Sequence, residues 1–236
     1  MGKQSWKPGN MLYPVPSVMV SCKRAGEKSN IITIAWAGTV CSDPAMVSIS
    51  VRPERYSHSI IGDSGEFVIN LVTEKLVRAC DWCGVRSGRD YDKFKETGLT
   101  EYLSDYMDTP AIAESPVNIY CKVIKTEKLG SHDMFIGEVV GVTVDDKYMD
   151  EKGRFALETC GLITYSHGEY LALGNKLGKF GYSVKKPDAD KRVNGKQAGP
   201  GRKNTVKRNT KTGKNIRKEA IVKGKTNNSH RGKRNG

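Results

Sequence analysis

Hydrophobic positions in this chain fall in short runs punctuated by turn residues, without long helical stripes. Runs over residues 17–22, 30–37, 46–51, 66–72, 117–126 and 134–144 are rich in Val, Ile and Thr, residue types that suit a pleated, half-buried surface. Breaks fall at Gly38, Asp43-Pro44, 62–65 and Leu129-Gly130. This spacing predicts a mostly antiparallel sheet or barrel, with a last pair of strands over 162–165 and 170–173. Helical signals are fewer, at 56–62, 73–82 and 90–97, with Ser57 and Thr73 expected as N-caps of the first two. The expected class is mostly β, a β-barrel with inserted short helices.

Composition divides the chain. Its 236 residues carry 39 Lys and Arg against 26 Asp and Glu, a net charge of +13. From Lys185 onward there are 18 basic residues and only three acids, Asp188, Asp190 and Glu219, which leaves 21 bases and 23 acids in the first 184 residues. The last 52 residues contain no Phe, Trp or Tyr, too little apolar surface to offset the entropy of ordering a chain. One folded domain over 1–184 and a disordered Lys/Arg-rich tail over 185–236 are therefore expected. Such a tail binds nucleic acid or other polyanions unspecifically and with strong salt dependence, and it lacks the interleaved aromatics of a stacking platform.

The six cysteines, Cys22, Cys41, Cys80, Cys83, Cys121 and Cys160, make a poor disulfide framework for a chain this long. Residues 1–10 lack the apolar core of a signal peptide, and no run of 18 apolar residues occurs. A cytoplasmic protein with reduced thiols and no membrane segment is expected. Cys80 and Cys83 form a CxxC, but no second CxxC or paired His accompanies it. Buried thiols are expected there, and no metal site.

Three stretches bear candidate chemistry: TIAWAGTVCSDPAMVSISVRP over 33–53, SGRDYDKF over 87–94 and GSHDMFIGEV over 130–139. Between Ala37 and Met46 the chain is expected to turn, presenting backbone N–H groups and small hydroxyls to a flat ligand; an ordinary hairpin with Thr and Ser as turn formers explains the same residues. In the second stretch Gly88 lets the backbone turn into a helix, and Arg89 and Lys93 stand four apart. Hydroxyl, N–H and ammonium can converge there on a phosphate, or the two bases can form a solvated helical face. Arg52 and Arg55 flank Pro53 with guanidinium groups suited to bidentate phosphate recognition, and Ser57 would begin a helix facing the same anion. Either arginine could equally lie at a dimer surface.

Together these stretches resemble the flavin reductase and flavoredoxin family, in order and rough spacing, over about residues 10–184. The resemblance implies an FMN-binding split barrel. It assigns Thr39, Val40, Cys41 and Ser42 to the flavin ring and ribityl chain, and Ser87 and Lys93 to the phosphate neighbourhood, where the turn at Gly88 joins the same cofactor-binding set. Asn70 is placed beside the flavin, a strand-end hydrogen bond to backbone being its other reading. Trp36, directly before the turn, has a broad apolar face that suits packing beside the ring, and a plain core position explains it equally. His132 comes near the flavin face or the nicotinamide as an orienting hydrogen-bond donor, while Tyr165 and Tyr170 border the substrate opening. His58 and His167 are expected to be ordinary surface or helix positions. The implied activity is electron transfer from NADH or NADPH, or from an electron-transfer protein, through FMN to an acceptor, in a homodimer. A diffusible-flavin reductase and a flavoredoxin with tightly held FMN both remain open, with the motifs closer to the second. A non-enzymatic FMN-binding module attached to polyanions by its tail is the contrasting reading.

Overall fold

The computed structural model describes residues 1–184. The tail expected over 185–236, and the polyanion binding attached to it, lie outside the described residues. The compact body that carries the sheets spans Met1–Leu177.

Among the described residues, twelve strands and three short α-helices follow one another. They are β1 (Val15–Pro16), β2 (Val18–Cys22), β3 (Asn30–Ile34), β4 (Ala37–Ser42), β5 (Ala45–Val51), α1 (Tyr56–Ser64), β6 (Glu66–Leu71), α2 (Val77–Val85), α3 (Lys93–Thr97), β7 (Glu101–Ser104), β8 (Met107–Ile112), β9 (Val117–Lys128), β10 (Asp133–Val144), β11 (Ile163–Ser166) and β12 (Glu169–Ala172). Seven strands form one curled antiparallel sheet in the order β3-β2-β6-β9-β10-β5-β4. A three-stranded sheet, β1-β11-β12, and the β7-β8 hairpin complete the architecture. The mostly β expectation holds.

Alternation in the sheet explains why the core has two parts. On one face Val20, Ile32, Ile34, Ile49, Val51, Phe67 and Phe135 pack with Ile60 and Ile61 of α1. On the other, Met19 and Ile31 pack with Cys80, Cys83, Phe94 and Ile112 beneath α2 and α3. Burying each of these large side chains contributes about 1.5–3 kcal/mol. Because β2 is covered on both faces, it reads as a continuous apolar run rather than an alternating one.

Several boundaries differ from expectation for identifiable reasons. The segment expected to be a turn between Ala37 and Met46 is mostly strand: β4 pairs with β5 from Ala37↔Ile49 to Ser42↔Ala45, and only Asp43-Pro44 reverses the chain. The run over 30–37 is broken at Ala35 and Trp36, where β3 ends and β4 begins. Ser57 does not cap α1. That position is held by Arg55 without a side-chain bond, and Ser57 is buried inside the first turn. Thr73 likewise makes no capping bond and precedes a single 3-10 turn ahead of α2. Asp92 is the residue that caps α3, accepting from the Lys95 N–H at 3.2 Å. The β7-β8 hairpin was not anticipated, because Met107–Ile112 contains a proline and follows no clear alternation.

Candidate functional site

A groove runs between β3, the β5–α1 connection, the C-terminal end of α2 and the loop leading into α3. Its centre is a cleft of about 380 Å³ lined by Arg55, Ser57, Ser87, Gly88, Arg89 and Lys93 among others. Toward β4 it continues, through the shared residues Ile32, Arg52 and Arg55, into a shallower cleft of about 160 Å³ that reaches Trp36, Ser50 and His132. A third opening of about 670 Å³ shares Trp36 and Ser50 and is roofed by the N-terminal segment at Met11 and Leu12.

Lys93 is the most firmly held charged group of the central cleft. It is only 3% exposed, and its Nζ donates to the Ile31 carbonyl at 2.6 Å and the Cys83 carbonyl at 2.7 Å. The Cys83 carbonyl belongs to the last turn of α2, where carbonyls lack helical partners. An ammonium has three hydrogens. Two are committed, and one is left for the cleft that Lys93 lines. Burial pushes the ammonium down to about 8, an effect that the Cys83 and Cys22 thiols oppose and Arg55 reinforces.

The neighbouring groups are held in place by hydrogen bonds. Ser57, 2% exposed, accepts from Asn30 Nδ2 at 2.8 Å. The Ser87 carbonyl accepts the N–H groups of Asp90 and Tyr91, and its Oγ accepts that of Arg89 at 3.2 Å, so the loop is a tight turn. Gly88 sits against Asn30, and a Cβ there would lie 2.0 Å from Asn30 Oδ1. A side chain there would require Asn30 to shift away from its bond to Ser57. Arg89 lays its guanidinium 5.3 Å from the Tyr56 ring centroid and donates to the Glu54 carbonyl at 3.3 Å. Arg55 donates to the Gly84 carbonyl at 3.4 Å, and Arg52 lies 3.6 Å from Glu54.

At the other end His132 Nδ1 lies 2.9 Å from Ser131 Oγ. Burial and the nearby Arg52 hold this imidazole below the usual histidine range, which favours the neutral ring. Trp36 is half-buried, its ring 6.1 Å from Tyr13. Tyr13 in turn contacts Tyr165, and Tyr170 donates to Asp81 Oδ1 at 3.2 Å, so both tyrosines stand on the three-stranded sheet beside this end.

Not every expected residue gathers here. Asn70 is fully buried, its amide donating to Met19, Val68 and Ser21 and its carbonyl oxygen accepting from Ile112 N and Asn118 Nδ2. All its polar capacity is used inside the sheet, which takes it out of the groove. Thr39, Val40, Cys41 and Ser42 lie on β4, the edge strand of the large sheet, and line none of these three clefts. Cys80 and Cys83 are fully buried, and burial pushes Cys83 up to about 11. His58 is more than a surface position, since its Nε2 lies 2.9 Å from the buried Asp133 and steadies the turn that bears His132. His167 packs against Tyr13 with ring centroids 4.5 Å apart and the rings tilted by 39°.

Sequence reasoning missed Asn30, Tyr56 and Arg86. Arg86 is the most legible of them, as a third base directly before the Ser87 turn. Asn30 and Tyr56 carry no local signal, because their roles depend on contacts with Gly88 and Arg89 made through the fold.

Residues 10–174 match the flavin reductase like domain family. The chain belongs to that family. Its fold is similar to the flavoredoxin of Desulfovibrio vulgaris (Miyazaki F), with a TM-score of 0.72 and 31% identity over 78% of this chain and all of that one. It is also similar to a flavoredoxin from Methanosarcina acetivorans, with a TM-score of 0.68 and 24% identity over 78% of this chain and all of that one. Among curated proteins, an uncharacterized protein of Archaeoglobus fulgidus is 31% identical over 60% of this chain and 78% of its own length.

Proposed function

We propose that this chain is an FMN-binding oxidoreductase of the flavin reductase and flavoredoxin type, passing electrons from NADH or NADPH, or from an electron-carrier protein, to an acceptor. The observation that carries this reading is the buried Lys93 ammonium, with two hydrogens committed to carbonyls and one left for an anion in the cleft. The residues present fit a phosphate-bearing flavin. The Gly88 backbone packs where a side chain would clash, and Ser57, Ser87 and Lys93 converge on one polar end. A longer cavity reaching Trp36 adjoins them. Similarity to the flavoredoxin of Desulfovibrio vulgaris supports the same assignment.

When bound, FMN supplies hydride and electron transfer. The chain supplies position and electrostatics. Lys93, Ser57 and Ser87 hold the phosphate, with charge-assisted bonds stronger than neutral ones. Arg55 and Arg52 extend the positive wall, and Trp36 offers an apolar face to the ring. Neutral His132 acts as an orienting donor toward the nicotinamide and is not required as an acid.

A homodimer is part of the proposal. The segment 39–42 lies on an exposed sheet edge with Val40 half-exposed, and an isologous partner laid against it would close the ring end of the groove. A cytoplasmic location is favoured by six free thiols. Among the described residues, no helix is long and apolar enough to cross a membrane.

The visible spectrum of the purified protein tests the cofactor: flavin bands that persist through gel filtration are expected. Kinetics with NADH and added flavin separate the two family types. Persistent FMN without turnover of added flavin fits the flavoredoxin type, and turnover of free flavin fits the diffusible one.

A further inference from the structure

One turn of helix touches both ends of the groove. Arg55 and Ser57, at the start of α1, line the central cleft. His58 comes next, its N–H donating to the Arg55 carbonyl at 2.9 Å. It lines none of the three clefts of the groove. Its ring turns to β10 instead, edge-on to the buried Phe135 with centroids 5.2 Å apart, and its Nε2 lies 2.9 Å from Asp133 Oδ2.

Asp133 connects this contact to His132. It opens β10 and is 7% exposed, and among the described residues His58 is the single side-chain partner of its carboxylate. Its backbone is paired with Val51 on one side and Lys128 on the other. His132 directly precedes it and lines the cleft that holds Trp36 and Arg52, so two neighbours in sequence face opposite environments. The turn before them is closed by the Leu129 N–H, which donates to the His132 carbonyl at 3.0 Å, while Leu129, Gly130 and Ser131 are exposed. A buried carboxylate without a partner is strongly unfavourable and is relieved by reaching water. The adjoining exposed turn offers that water, so loss of His58 would draw Asp133 outward and carry His132 with it.

We infer that His58 is a positioning residue for donor binding: through Asp133 it fixes the strand end from which His132 meets the nicotinamide. The first turn of α1 then sets the phosphate end directly, through Ser57, and the donor end at one remove. This inference rests on the proposed role of His132.

The test compares the wild type with His58→Leu, His132→Ala, these two combined, and His58→Leu/Asp133→Leu, which removes the buried pair together and leaves no charge behind. Amide hydrogen exchange of the flavin-free full-length protein reads the position of the turn. In His58→Leu the Leu129 amide should exchange about tenfold faster or more, while core amides such as that of Val20 keep their protection. Equal acceleration of both would make His58 a plain core residue and overturn the inference. With FMN bound, His58→Leu should raise the KM for NADH or NADPH about fivefold or more, leave kcat within about twofold, and add nothing in a His132→Ala background. Additive effects overturn the inference alone. Should His58→Leu fail to fold, His58→Leu/Asp133→Leu carries the test with the same rise expected, and a wild-type KM there overturns the inference. A wild-type KM in His132→Ala overturns the role of His132 in the proposed function and this inference with it. Failure of the wild type to bind any flavin overturns the central-cleft reading instead.

Discussion

The two ends of the groove are built differently. At the Lys93 end every group is fixed by the chain itself: an ammonium anchored to two carbonyls, a serine buried in a helix turn, and a glycine pressed against Asn30. At the β4 end, Thr39, Val40 and Ser42 are exposed on an edge strand with one neighbour. The difference teaches that the cationic end is preorganised within one chain, whereas on the proposed reading the β4 end takes a second surface to become a closed site. Preorganised donors in a desolvated pocket give strong discrimination. An open edge gives little until it is covered.

The largest expected effect breaks the preorganised end. Gly88→Val introduces branches into a space where even a Cβ would meet Asn30 Oδ1 at 2.0 Å. Such overpacking costs about 1–3 kcal/mol of stability, read as a lowered denaturation midpoint, and flavin binding should fall below detection. Unchanged binding would show that the Ser87 turn can move away.

Next in size is Lys93→Met, which keeps the bulk and removes the charge. FMN affinity should fall by about 1.5–3 kcal/mol while riboflavin affinity barely changes, as measured by fluorescence titration. Equal losses for the two flavins would mean that Lys93 does not meet the phosphate.

A pH titration sharpens the same point. Burial lowers the Lys93 pKa to about 8, so below that pH the ammonium is charged and meets the dianion, and FMN affinity should be lost as pH rises through 8. Riboflavin should show no such step. The free protein moves the other way: because the folded pKa is depressed below the unfolded value, stability should rise with pH between about 8 and the ordinary lysine range near 10.4.

The smallest expected effect concerns the open end. Val40→Asp on the exposed edge should leave monomer stability within about 0.5 kcal/mol but shift the chain from dimer to monomer, read by light scattering. A monomeric wild type would remove the partner surface from the proposal.

Much of this was legible in the sequence because it is local. The strand runs and the Ser87-Gly88 turn each depend on a few neighbouring residues, whereas the helix expected over 90–97 begins only at Lys93, after the Asp92 cap. What failed depends on partners far along the chain. The resemblance places Asn70 beside the flavin, yet Met19, Ser21, Ile112 and Asn118 use all of its hydrogen-bonding capacity inside the sheet. Residues 37–42 looked like a turn because Gly, Thr and Ser are turn formers, but pairing with β5 overrides that propensity. Ser57 looked like a cap, and the buried Asn30 drew its hydroxyl into the first turn instead.

The affinity of the wild-type protein for FMN relative to riboflavin, measured by calorimetry at pH 7, tests the anchored phosphate end most directly. FMN binding tighter by at least about tenfold, or about 1.4 kcal/mol, is the expected result. Equal affinities would contradict it, leaving Lys93 a buried structural cation and the groove without its anion site.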